Sequence, residues 1–152
     1  MNRSILTAVL TACALVLGTA FAAAQQYGTP AEAKAMFDRA VAALKANETA
    51  ALAAFNDKNN KDFHDRDLYM FCFRMSDGIY VAHVNPALMG TDIRQLKILD
   101  EPVGARVYAA AKEGEVSTLE FMFPRPGTNE PIPKVAYITR VANIGCGVGY
   151  YK

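Results

Sequence analysis

This chain of 152 residues has almost no excess of basic residues, since its 16 lysines and arginines are nearly balanced by 15 aspartates and glutamates. Proteins that bind a phosphate backbone carry a basic surface, so nucleic acid is not an expected partner. Beyond its N-terminus, the sequence also lacks an apolar run long enough to cross a bilayer. That part of the chain is therefore expected to contain no membrane span.

Recognisable catalytic and cofactor motifs are missing as well. The sequence has no Ser/His/Asp pattern, no cluster of residues at metal-ligand spacing and no phosphate-binding glycine loop. Residues 145–149 contain three glycines, but they form a predicted strand with no helix after it to hold a phosphate. We interpret these glycines as allowing a helix to approach the sheet closely. The sequence predicts neither an enzyme nor a bound cofactor.

The first 24 residues have the pattern of a secretory signal peptide. Arg3 supplies a positive charge, residues 5–18 are mostly apolar, and small residues offer cleavage after Ala22 or Ala24. We therefore divide the chain into a signal peptide at 1–24 and one domain at 25–152. The 128 residues of that domain are enough for a hydrophobic core. The protein is expected to be exported, and to be periplasmic in a Gram-negative host.

A lipoprotein signal is the alternative interpretation of this leader. Residues 10–13 (Leu-Thr-Ala-Cys) have the form of a cleavage box that would place a lipid on Cys13. We favour it less, because the apolar run continues past Cys13 to Phe21, where a polar tether is expected after a lipid-bearing cysteine.

Two cysteines, Cys72 and Cys146, remain after the leader is removed. An even number in an oxidising compartment favours a disulfide, and the alternative is two independent buried thiols. Both cysteines lie in predicted strands, and no Cys-x-x-Cys or Cys-x-x-Cys-His motif is present. Thiol redox chemistry and covalent haem attachment are therefore not expected.

Two helical segments open the domain. Thr29 and Glu32 form a capping box, and the proline between them suits a first helical turn. Apolar residues at positions 36–44 recur at helical spacing. A second, alanine-rich helical piece is predicted over residues 48–55.

Five short strands are predicted after these helices. The first two form a hairpin over residues 68–84, around the turn at Asp77-Gly78. A short helix is expected over 103–112, and the last three strands over 116–123, 134–141 and 144–151. A sheet of five short strands with one face covered by helix indicates an α+β domain with an antiparallel sheet.

Aromatic residues alternate along the first strand of the hairpin. Tyr69, Phe71 and Phe73 therefore share one face of that strand. The face is too apolar to be left in water, so it either packs under a helix or forms the floor of a small pocket. The second alternative would make the protein a small-molecule binder.

In their order and spacing, these segments resemble the single Cache domain in its second subtype, the extracellular sensing module of many bacterial receptors. The resemblance extends from about residue 31 to residue 152. The segments that carry it are 67–71, Asp77-Gly78, Ala82-His83, 85–90, Phe123-Pro124, 133–137 and 147–151.

The resemblance implies a PAS-like, five-stranded antiparallel sheet with the order 2-1-5-4-3. A long N-terminal helix would cover one face and a ligand pocket would lie on the other. In this order the first and last strands are neighbours, which would place Cys72 beside Cys146. Ligands in the family are mostly small metabolites, with short organic acids prominent.

Two departures from the family pattern matter. Val84 follows His83 where many members have proline. Most members also precede a transmembrane helix and a kinase or chemotaxis module, whereas this sequence stops at Lys152. We therefore expect a stand-alone exported member that signals through a separate membrane receptor or histidine kinase.

His83 and Tyr137 are the leading polar candidates for a binding site. His83 would either donate to a ligand carboxylate, sense pH, or fix the following loop through a backbone contact. Tyr137 offers a hydroxyl at the end of an apolar side chain, or is an ordinary core aromatic. Lys134 and Tyr137 are three positions apart, an odd spacing that puts them on opposite faces of a regular strand, so both face the pocket only if Lys134 precedes the regular strand.

Arg125 and four aromatic residues complete the predicted site. Arg125 lies between two prolines that restrict its loop and would aim it at an anion, unless it is a solvated loop residue. The aromatic walls are expected to be Tyr69, Phe71, Phe121 and Phe123, with ordinary sheet packing as the alternative. The expected function is binding of a small organic acid or similar metabolite. The alternative is a structural or interaction protein whose pocket is filled.

Overall fold

The computed structural model describes residues 25–152. The predicted signal peptide at 1–24, and the alternative lipid site at Cys13, lie outside the described residues. Within the range that is described, no helix has the length and apolar character needed to cross a membrane.

Two consecutive helices open the described chain, α1 (Pro30–Ala46) and α2 (Glu48–Asn56). The predicted capping box is present, since the Glu32 amide donates to Thr29 Oγ1 at 3.2 Å and the Thr29 amide donates to Glu32 Oε2 at 2.8 Å. Asn47 ends α1 and caps α2, its Oδ1 accepting the Ala50 amide at 2.9 Å. The buried stripe of α1 is Ala33, Met36, Phe37, Ala40 and Leu44.

The sheet is antiparallel, and its strands are β1 (His64–Asp65), β2 (Leu68–Arg74), β3 (Tyr80–Ala82), β4 (Ser117–Pro124), β5 (Pro131–Val141) and β6 (Ile144–Tyr151). The order is β1-β2-β6-β5-β4, and β3 also pairs with β2. The predicted α+β class is thereby confirmed. The prediction of five strands missed β1, because two residues are too few to show alternation. It also started β5 three residues late.

Helix α3 (Val103–Ala110) follows a 3-10 turn at Ile93–Gln95 and lies on the opposite side of the sheet from α1 and α2. Two hydrophobic cores result, one on each face. Along β2, Leu68, Met70 and Cys72 belong to the core under α1 and α2. The alternating aromatics Tyr69, Phe71 and Phe73 belong to the core on the α3 side.

The predicted pairing of the cysteines is present as a Cys72–Cys146 disulfide, with an S–S distance of 2.03 Å. The two residues are register partners on the neighbouring strands β2 and β6. Both are buried on the face covered by α1 and α2. The disulfide therefore joins the two strands at the centre of the sheet, away from the α3 side.

The glycines of β6 mainly serve a different purpose from the one predicted. A Cβ at Gly145 would lie 2.5 Å from the Phe73 ring, and one at Gly147 would lie 2.4 Å from the Phe71 ring. At Gly149 it would lie 2.2 Å from Cε of Lys134. The expectation that these glycines let a helix approach the sheet holds only at Gly145, where a Cβ would also lie 3.1 Å from Cβ of Ala111 at the end of α3. All three leave room for side chains of β2 and β5 on the α3 side.

Candidate ligand-binding site

A small cavity of about 20 Å³ lies on the α3 side of the sheet. Space of this size holds about one water molecule. Six of the eight predicted site residues line it, contributed by β2, β4, β5 and the residue after β3: Tyr69, Phe71, His83, Phe121, Phe123 and Lys134.

A wider groove of about 400 Å³ adjoins this cavity. Its walls are residues 84–86, in the loop after β3, and residues 124–129, at the connection between β4 and β5. Tyr69, His83 and Phe123 line both spaces. A small molecule in the groove therefore meets these three side chains before it reaches the cavity.

Lys134 supplies a buried amine to the cavity, with only 1% of the residue exposed. It lies in the ladder of β5, opposite Phe121 of β4 and Tyr151 of β6. Its Nζ donates to the hydroxyl oxygens of Tyr69 at 2.8 Å and Tyr151 at 3.4 Å. The rings of Tyr69, Tyr151 and Phe123 lie 4.2, 4.8 and 5.1 Å from Nζ, within the range of cation–π attraction.

The surroundings of Lys134 disfavour its charge. Burial lowers the pKa of its amine to about 7, while the more distant Asp67 acts in the opposite direction. Within residues 25–152, no carboxylate forms an ion pair with Nζ, and Asp67 itself pairs with Arg125. Lys134 is therefore a buried cation whose hydrogen-bond partners among the described residues are neutral phenols.

His83 has one ring nitrogen committed and the other available. Its Nδ1 accepts the backbone amide of Asn85 at 2.9 Å, so in the neutral ring the proton is on Nε2. Burial, followed by the charge of Lys134, lowers the pKa of His83 to about 3. The ring is held between Tyr69 and Tyr80, with centroids at 5.2 and 5.4 Å. His83 therefore fixes its loop and stays neutral at ordinary pH, which argues against pH sensing and leaves it as a neutral donor.

Arg125 lines the groove but is already engaged. Its Nε donates to Asp67 Oδ2 at 3.2 Å, and Asp67 Oδ1 accepts the Gly28 amide at 2.7 Å. The guanidinium lies 3.9 Å from the Tyr27 ring centroid and 5.0 Å from that of Tyr151. Instead of facing a free anion, Arg125 connects the β4–β5 loop to the segment that precedes α1.

Tyr137 does not join the other predicted site residues. It lies on the face covered by α1, with its ring 6.2 Å from Phe37 and 6.1 Å from Tyr150. The odd separation places Lys134 and Tyr137 on opposite faces, as the alternation of a regular strand requires. The prediction that Tyr137 lines the pocket is wrong, because β5 is regular here and the residue that faces the α3 side is Lys134.

Several residues of the site had not been singled out from the sequence. Tyr80, Leu96, Val103 and Val107 line the cavity, and Tyr151 contacts Lys134. Tyr151 was predictable in part, because the implied strand order puts the last strand beside the fourth. The register that pairs it with Lys134 was not deducible from either strand alone.

The chain matches no protein-family model and no curated protein. Solved structures similar to it include the following three. A methyl-accepting chemotaxis protein from Vibrio parahaemolyticus RIMD 2210633 has a TM-score of 0.64 and 26% identity, covering 80% of this chain and 86% of that one. A periplasmic sensor domain of a chemotaxis protein has a TM-score of 0.59 and 20% identity, covering 78% and 87%.

The third structure, described as a Cache chemosensory domain in a study of carboxylic acid recognition, has a TM-score of 0.52 and 19% identity, covering 78% of this chain and 85% of that one. This chain therefore shares its fold with these three structures.

Proposed function

We propose that this chain is an exported sensory domain that binds a short carboxylate next to Lys134. The observation that carries the proposal is the buried Lys134 amine, which lines a cavity and has no carboxylate partner within residues 25–152. A buried charge is stable only when it is paired and hydrogen-bonded. A ligand carboxylate supplies the missing charge.

The donors around the cavity suit an anion. The Lys134 ammonium has three donor positions, and the two phenol contacts leave one for a ligand oxygen. The neutral His83 ring, whose centroid lies 5.2 Å from that of Tyr69, offers Nε2–H as a second donor. In surroundings of low dielectric constant, such charge-assisted hydrogen bonds are stronger than those in water.

The small volume of the cavity restricts the ligand. About 20 Å³ admits little more than a carboxylate group, after small shifts of the aromatic walls. The rest of the ligand would lie toward the groove, past His83 and Phe123. We therefore propose acids of about two to four carbons. A longer apolar chain would displace the packed rings of the core.

One observation favours the alternative of a structural or interaction protein. Lys134 already donates to two tyrosines, and the cavity holds about one water molecule. These two features are also expected if the protein's own side chains fill the pocket and no ligand binds. The two functions differ in whether any small acid stabilises the folded protein.

Location and signalling are part of the proposal. The leader pattern at 1–24 supports export to the periplasm, and the similar structures are sensory rather than enzymatic in description. We propose a single Cache domain of the second subtype, spanning 25–152, that transmits its bound state to a membrane receptor or histidine kinase. Its stand-alone character stays a prediction.

The test is a thermal-shift and calorimetric series with formate, acetate, propionate, butyrate and hexanoate. A ligand that binds only the folded state raises the melting temperature in a concentration-dependent way. We expect the short acids to raise the melting temperature and hexanoate to raise it much less. Lys134→Met should abolish the stabilisation by short acids, whereas Lys61→Met, at an exposed lysine, should leave it unchanged. Absence of stabilisation by every acid would favour the structural alternative.

A further inference from the structure

The Lys134 amine has the surroundings of a nucleophile as well as those of a cation. A neutral amine has two protons and one lone pair, and the two phenol contacts, to Tyr69 and Tyr151, can take up both protons. The lone pair is then left over on a nitrogen that lines the cavity. With 1% of Lys134 exposed, this nitrogen is shielded from bulk water.

The electrostatics support a neutral amine in the absence of an anion. Burial lowers the pKa of Lys134 to about 7, so the neutral amine is well populated near pH 7. An exposed lysine with an ordinary pKa is almost entirely protonated there. Desolvated lysines in apolar pockets are the ones that proteins use to attack carbonyl groups.

We propose that Lys134 captures short aldehydes covalently, as a reversible imine. The Nζ lone pair forms a bond to the carbonyl carbon, and the carbonyl oxygen takes up a proton from nitrogen to give a carbinolamine. Loss of the hydroxyl group and the second nitrogen proton as water then leaves the C=N bond. Amine and aldehyde give imine and water, with no change in oxidation state and no further reactant.

The charge of the site selects an uncharged carbonyl compound. Once the amine has become a neutral imine, no other cation among the described residues lines the cavity, because His83 is neutral and Arg125 lies in the outer groove with Asp67. A carboxylate on the same molecule would be buried without a partner. An aldehyde of one to three carbons would place its carbonyl group next to Lys134 and its alkyl group toward the groove, past Tyr69 and Phe123, after small shifts of these rings.

This inference uses the cavity of the proposed function but does not require that carboxylates bind there. The protonated amine would hold an acid through charge, and the neutral amine would hold the aldehyde of similar size through a bond. The two ligand classes therefore depend on opposite protonation states of one group.

The experiment is limited reductive alkylation of the unmodified protein with acetaldehyde and cyanoborohydride at pH 6.5, followed by peptide mapping. Hydride from cyanoborohydride converts the imine into a stable ethylamine. We expect Lys134 to be labelled about tenfold faster than exposed lysines such as Lys61. Burial alone predicts the reverse order, so labelling of Lys134 at the same rate as Lys61, or more slowly, overturns the inference.

The outcome is separable from that of the proposed function. Fast labelling of Lys134 together with no stabilisation by any acid would contradict carboxylate binding and support aldehyde capture. Stabilisation by short acids together with slow labelling would support carboxylate binding and contradict aldehyde capture. Because the labelling uses the natural chain, a Lys134 variant that fails to fold does not affect the result.

Discussion

Lys134 and Gly149 lie diagonally across the pairing of β5 and β6, and a Cβ at position 149 would be 2.2 Å from Cε of Lys134. The long side chain of Lys134 thus occupies the space that an alanine methyl group would take. The position of the buried amine depends on the absence of a side chain on the neighbouring strand.

Gly149→Ala should displace the Lys134 amine from Tyr69 and weaken carboxylate binding by about tenfold, since the lost contact is a charge-assisted hydrogen bond. The lysine is flexible enough to move, so we expect a loss of only about 1–2 kcal/mol in the free energy of unfolding. Urea unfolding and calorimetry measure the two effects.

Gly147→Ala is the matched comparison on the same strand and face. Its Cβ would lie 2.4 Å from the Phe71 ring and 2.8 Å from the Tyr137 carbonyl oxygen, neither of which can move as freely as a lysine. This variant should lose more stability than Gly149→Ala. The reverse order would contradict the arrangement described for the cavity.

The buried amine should make stability depend on pH. The pKa of Lys134 is about 7 in the folded protein and near its ordinary value in the unfolded chain. Between these values the unfolded state binds more protons, so the free energy of unfolding rises with pH, by up to about 1.4 kcal/mol per unit. The gain is absent below pH 7, where both states are protonated.

Urea unfolding of the ligand-free protein at intervals from pH 6 to 9 checks this slope. Lys134→Met should flatten the rise and increase stability at pH 6, because it removes the penalty for burying a charge. Lys61→Met, at an exposed lysine, should keep the slope of the natural protein. An equal slope in all three proteins would show that Lys134 titrates like a surface lysine.

The Cys72–Cys146 disulfide should contribute about 2–4 kcal/mol to stability, because it closes a long loop in the unfolded chain, whose two ends are 74 positions apart. The double variant Cys72→Ala/Cys146→Ala should melt at a lower temperature than the oxidised protein. Addition of a reductant should lower the melting temperature of the natural chain but leave that of the double variant unchanged. If the reductant also lowered the melting temperature of the double variant, its effect could not be assigned to this disulfide.

The contacts of Arg125 should hold the segment before α1 in place. Arg125→Met removes the ion pair with Asp67 and the cation facing Tyr27. Among residues 25–152, the buried Asp67 carboxylate then keeps only the Gly28 amide as a partner. We expect a loss of about 1–3 kcal/mol and faster hydrogen exchange at residues 25–28. Arg125→Lys keeps the charge without the planar stacking, and should show an intermediate effect. Unchanged exchange in both variants would contradict this connection.

The sequence allowed much of the fold to be predicted because its signals are local. The capping box of α1, the Asp77-Gly78 turn and the bounds of β6 each depend on a few adjacent residues. The alternation of Tyr69, Phe71 and Phe73 correctly placed them on one face of β2. These local signals were enough to predict the α+β fold class, which the antiparallel sheet and its helices confirm.

The site was harder to predict because it depends on register between distant strands. Alternation shows that Lys134 and Tyr137 point in opposite directions, but not which of them faces α1. The partners of Lys134 are on β2 and β6, 65 and 17 positions away along the chain. The space that Gly149 leaves for Lys134 can be recognised only when both strands are side by side.

The covalent link between β2 and β6 also determines where the domain can adjust. Sliding of these two strands past each other is blocked at Cys72 and Cys146, and Tyr69 and Tyr151 extend from the same two strands on the far face of the sheet. Of the three rings described around the Lys134 amine, Tyr69 and Tyr151 therefore lie on strands that the disulfide holds together, and only Phe123 lies on β4. If a ligand enters the cavity as proposed, we expect the outer walls at 84–86 and 124–129 to move more than β2 and β6.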